Sequence, residues 1–172
     1  MALVFSVSAP STAFIEPFAT QITETLRSTF GDEIDFDNKA ERHSEELGWS
    51  GWAELQERGA ESCGADQLPH FLSMEAWHGC YLPVKTDVGS FEFPDETPNL
   101  DVGALDNLIA ELELIGNALG LPVDDSSLDA LSEKYTDDDD LVDEDMDIQT
   151  FSQLLPLARF AREQRLPLWI VK

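Results

Sequence analysis

The sequence predicts an α+β fold, a small mixed or antiparallel sheet that includes both terminal strands and is packed by about four to five helices. Three observations carry that reading. The chain opens on the apolar run Ala-Leu-Val-Phe-Ser-Val at residues 2–7 and closes on Leu-Pro-Leu-Trp-Ile-Val at 166–171, short runs that suit buried strands. Between them, apolar residues recur at the spacing of amphipathic helices. Residues 68–93 instead hold aromatic residues broken by Pro and Gly, the composition of short strands and hairpins. With 172 residues, 42% of them hydrophobic and 10 Phe and 4 Trp among them, one domain spanning 1–172 has apolar material enough to offset its ordering entropy.

Each element follows from local pattern. After the first strand, Ser-Ala-Pro-Ser makes a turn, and Phe14, Ile15, Phe18, Ile22 and Leu26 recur at helical spacing with Pro17 in the first turn, where its missing N–H costs little. Residues 31–39 alternate acidic and apolar side chains, as an edge strand or a loop does. From Lys39 to Glu61 the pattern is helical, with Leu47, Trp52 and Leu55 inward, or a shorter helix runs from about Gly51 under a Ser50 cap. Within the aromatic segment, residues 76–82 read as a strand ended by Pro83. Its period of two puts Trp77, Gly79 and Tyr81 on one face and His78, Cys80 and Leu82 on the other.

The clearest helical stripe is Leu105, Leu108, Ile109, Leu112, Ile115 and Leu119, with Asn99 or Asp101 as cap and Gly120 and Pro122 as stops. A shorter helix follows from about Ser126 to Lys134, with Leu128 and Leu131 inward and Asp124, Asp125 or Ser126 as cap. The last helix carries Ile148, Phe151, Leu154, Leu155, Ala158 and Ala161; Pro156 falls inside it and predicts a kink or two pieces.

Charge is the unusual feature. Thirty-five acidic residues against 10 basic ones give a net charge of −25, a field that repels nucleic acid and anionic membrane surfaces and draws in basic partners. Residues 101–147 contain 16 acidic side chains and the single base Lys134, and residues 135–147 form an expected acidic surface loop. The last quarter reverses the balance with Arg159, Arg162, Arg165 and Lys172 against Glu163. Those arginines suit the negative end of a helix and can pair with the acidic face beside it. No run is long and apolar enough to span a bilayer and the start lacks the pattern of a secretory signal, so the expected location is cytoplasmic, with Cys63 and Cys80 as reduced thiols.

Candidate chemistry is sparse. Cys63, His70, His78 and Cys80 are a zinc-type set of residues, but structural zinc sites grip from tight Cys-x₂₋₄-Cys and His-x₃₋₅-His pairs and these spacings are wider. Cys80 with His78 or His70 is the candidate nucleophile and base, with His43 as a further partner brought in by the fold. A calcium loop starting at Asp143 fails because Ile148 and Leu154 stand where glycine and glutamate are needed. Gly-rich phosphate loops, nucleophile elbows and His-Glu-x-x-His pairs are absent from the sequence, and no cofactor is implied.

The expectation that uses the charge is a binding protein that engages a basic protein partner in an inhibitor, immunity-like or nucleic-acid-mimic role. Its contact residues would be Asp124, Asp125, Asp137, Asp138, Asp139, Asp140, Asp143, Glu144, Asp145 and Asp147, with Trp49, Trp52 or Trp77 as an aromatic anchor. The rival readings are a small enzyme using Cys80 with a histidine and a housekeeping protein whose acidity has no specific role.

Overall fold

A computed structural model describes residues 2–75, 79–94, 97–136 and 145–171. They form a mixed sheet flanked by helices, α+β as the sequence predicts. The strands are β1 (Ala2–Val7), β2 (Arg42–His43), β3 (Leu47–Gly48), β4 (Gly79–Leu82), β5 (Gly89–Phe91), β6 (Leu100–Ala104) and β7 (Leu168–Val171). Their order across the sheet is β2-β1-β7-β4-β6-β5, with β3 also on β1. The two terminal strands are neighbours: β1 and β7 pair antiparallel, Phe5 opposite Ile170. β4 pairs antiparallel with β7 and parallel with β6, and β5 closes the far edge antiparallel to β6.

Five helices of 12 to 19 residues, α2 (Phe18–Phe30), α3 (Trp49–Cys63), α5 (Leu105–Leu119), α6 (Asp125–Thr136) and α7 (Met146–Gln164), do most of the packing. Two four-residue turns of helix, α1 (Pro10–Ala13) and α4 (Pro69–Leu72), complete the helical set among the described residues. The sheet has a core on each face. On one, Leu3, Phe5 and Val7 of β1, Tyr81 of β4 and Leu168 and Ile170 of β7 meet α3, α5 and α7. On the other, Cys80, Leu82, Val102 and Trp169 meet Ile22 and Leu26 of α2. The alternation of Cys80 and Leu82 against Tyr81 is the one the period of two predicts; Trp77 and His78 lie outside the described residues.

Three expectations change. Phe14 and Ile15 do not belong to the first long helix, which starts at Phe18 behind Pro17, and Ile15 is 85% exposed. Residues 42–48 are not helical but line the outer edge of β1: Ser6 faces His43 and Leu3 faces Leu47. Between these pairs Ser44 donates its N–H to the Phe5 carbonyl and its hydroxyl accepts the Phe5 N–H, both at 2.9 Å. A side-chain oxygen thus replaces a ladder carbonyl and splits the edge into two short strands. Finally, residues 100–104, expected to hold the cap of the next helix, are strand β6. Leu100 and Val102 turn to the α2 core, and α5 starts behind Ala104. Residues 31–39, open between strand and loop, form a short 3-10 turn at Gly31–Glu33 and then a loop that docks on the end of α7 through Asp35 N–H to the Arg165 carbonyl.

α7 is the centre of the helical layer, continuous through Pro156 and buried along most of its length. It crosses α3 at Gly51, where an added Cβ would lie 2.5 Å from the Met146 carbonyl oxygen and 2.6 Å from Thr150 Oγ1. α6 lies on its outer side.

Candidate binding groove

Among the described residues the cysteines and histidines do not assemble. Cys80 is buried in the α2-side core, where burial raises its thiol pKa far above the usual range and so removes the thiolate a nucleophile needs. His70 lies on the other side of the sheet. Its Nδ1 accepts the Ala104 N–H at 3.0 Å, its carbonyl accepts the Tyr81 hydroxyl at 3.0 Å, and Phe71 beside it packs in the α3–α5–α7 core. His43 shares a face with Cys80, since His43, Ser6, Trp169 and Cys80 pair in one row across the sheet. Three strand spacings, about 14 Å, separate the two. Cys63 ends α3 in the opposite core and both cysteines are free thiols. His78 lies outside the described residues, among which no three His, Cys, Asp or Glu side chains gather to hold a metal ion.

The arginines fold back on the protein. Arg159 bridges Asp125 at 2.6 Å and Glu113 at 3.0 Å, joining α7 to α6 and α5, and Arg162 reaches Asp106 at 3.4 Å. Arg165 donates to the carbonyls of Asp32 and Glu33. Arg58 of α3 pairs with Asp147 of α7. Arg27 and Arg42 lie over the rings of Phe36 and Phe160, and Lys134 over Tyr135. Among the described residues seven basic side chains are therefore engaged within the chain.

The expected contact carboxylates divide accordingly. Asp147 is 1% exposed and bound to Arg58, which places it in the α3–α7 crossing. Asp125 is exposed but bound to Arg159. Asp124 is the cap of α6: Oδ2 accepts the Ser127 N–H at 2.9 Å and the Ser126 hydroxyl at 3.0 Å. Bonds from Ser127 and Ser126 draw its pKa down to about 2. Asp145 precedes α7 and is half-buried. Asp137, Asp138, Asp139, Asp140, Asp143 and Glu144 lie outside the described residues. Of the aromatic anchors, Trp52 is buried against Phe5 and Phe71, Trp49 is half-exposed, and Trp77 is not among the described residues.

One groove of about 310 Å³ opens between the 42–45 edge, α6 and α7. It is lined by Arg42 and Glu45 of the edge, by Asp129 and Glu133 of α6, and by Ser152, Gln153, Pro156 and Leu157 of α7. A narrower cleft continues it past Phe160 and Arg159, sharing Arg42, Asp129 and Pro156. Two backbone and side-chain features shape the α7 side of the groove. Proline at 156 has no N–H, so the helical donor for the Ser152 carbonyl is missing. Gln153 accepts the Glu45 N–H at 2.8 Å through Oε1, which holds the edge to α7, while its buried Nε2 has no partner among the described residues. Asp129 and Glu133 fall in the acidic stretch the sequence singles out, and Pro156 stands out inside a helical pattern. Nothing in the sequence pairs either with Arg42, Glu45 or Gln153.

No protein-family model, curated protein sequence or solved structure matches this chain. Among the described residues no helix is long and apolar enough to cross a membrane.

Proposed function

We propose that the protein is a stoichiometric binding protein whose acidic surface engages a basic protein partner, as an inhibitor, immunity-like protein or nucleic-acid mimic acting in the cytoplasm. The observation that carries this reading is the internal use of its cations. With seven basic side chains among the described residues committed to the chain's own carboxylates, carbonyls and rings, few cations remain to offset the excess of 35 acids over 10 bases. A field of that sign speeds encounter with a basic surface and orients it. The groove between α6 and the 42–45 edge gives that surface a concave point of contact with three acidic residues, Glu45, Asp129 and Glu133, among its lining.

The experiment is affinity capture from a lysate of the source organism at low salt, followed by identification of what elutes as salt rises. The expected result is one predominant basic protein, bound one to one, that leaves the column early in the gradient. Recovery of neutral or acidic proteins alone, or of none, contradicts the proposal. Cys80→Ala is expected to retain the partner, because the thiol is sealed in the α2-side core.

A further inference from the structure

We infer that the groove between α6 and the 42–45 edge is a receptor for an arginine of the partner, whose guanidinium takes the place of the chain's own Arg42. The inference rests on the binding role proposed above and names the group that is recognised. Arg42 shows the mode: its guanidinium carbon lies 5.5 Å from the centre of the Phe160 ring, at the junction of the groove and its narrower continuation. It is an exposed residue of a two-residue edge strand, and among the described residues the ring is the partner of its guanidinium. A planar cation with five N–H donors matches the surroundings better than an ammonium does. Asp129, Glu133 and Glu45 offer carboxylate oxygens, and the Ser152 carbonyl lacks its helical donor because position 156 is proline. Gln153, which lines the groove and is 8% exposed, supplies the complement, an amide nitrogen with no partner among the described residues, which calls for a carbonyl acceptor. An arginine within a peptide brings both a guanidinium and main-chain carbonyls. A simple cation brings only the charge.

The test uses the full chain and two defined probes, acetylated hexa-arginine amide and acetylated hexa-lysine amide, titrated calorimetrically at low salt. Arg42→Gln is compared with Lys85→Gln, which removes the same charge from an exposed site after β4. Asp129→Asn/Glu133→Gln is compared with Glu57→Gln/Glu61→Gln on the exposed face of α3. Each contact is expected to contribute about two- to five-fold. Arg42→Gln should therefore tighten hexa-arginine binding by about that factor beyond Lys85→Gln, and the α6 pair should weaken it by about five-fold or more beyond the α3 pair. Equal effects within each comparison would overturn the groove as receptor while leaving the acidic binding role standing, since every variant would still bind. The same variant pattern with hexa-lysine at equal strength would overturn the preference for arginine. Failure of the unaltered protein to bind either peptide would remove the inference and the role beneath it together.

Discussion

Glu111 looks in the sequence like any of 35 acids, yet among the described residues it and Asp147 are the buried carboxylates. Glu111 is 5% exposed on the inner face of α5, and its two oxygens accept the N–H groups of His70 at 3.1 Å and Phe71 at 2.7 Å. Burial raises its pKa and the two backbone bonds oppose that rise. Glu111→Gln turns one acceptor into a donor facing a donor, and is expected to lower stability by about 1–3 kcal/mol in urea unfolding without altering partner capture. His70 stands out in the sequence as a ligand or base, and its actual use is also structural. Because Nδ1 accepts the Ala104 N–H, the neutral ring carries its proton on Nε2, and burial lowers its pKa from 6.5. The sign follows: its contribution to stability is complete above 6.5 and is lost as pH falls through the lowered folded-state value. Residue types drew attention to His70 and passed over Glu111, because composition shows which groups titrate and not which ones the fold encloses.

At the scale of elements, periodicity made the long helices legible and failed where a segment's partner is distant. The stripe from Leu105 to Leu119 and the pattern ending at Ala161 became α5 and α7, because each buries one face whatever its neighbours are. Residues 42–48 and 100–104 took strand conformation to complete hydrogen bonds on β1 and β4, and pairing of that kind leaves only a short, ambiguous trace in a sequence. The α3–α7 crossing depends on Gly51 for close approach and on Arg58 to neutralise Asp147, whose Oδ1 has no partner among the described residues. Arg58→Ala is expected to cost about 3 kcal/mol in urea unfolding by leaving that buried charge alone, and adding Asp147→Asn to it should recover part of the loss. α6 depends on its cap. The depressed Asp124 pKa means that the cap's contribution is present above the ordinary value of 3.8 and is lost as pH falls through about 2. Exchange of the Ser127 amide hydrogen should quicken over that window, whereas Asp124→Ala should show rapid exchange above it as well.

For the whole molecule, the charge was legible from composition and its arrangement was not. The expectation that the last arginines serve the protein's own acidic face agrees with Arg159 on Glu113 and Asp125 and Arg162 on Asp106. The groove was not visible, because Arg42, Asp129 and Gln153 come from three separate stretches that meet only when α6 and the 42–45 edge pack on α7. The sheet then acts as a frame, with α2 closing one face and α3, α5 and α7 the other, so Cys80 and His70 are walled off from each other. An acidic surface binds through screened Coulomb attraction. The most direct measurement is the affinity of the chain for its captured partner in a salt series from about 50 to 300 mM, a range over which the screening length falls by more than half. The account predicts that the association constant drops at least about ten-fold across the series, mostly through slower association. An affinity that stays constant across it would contradict a role built on the acidic surface.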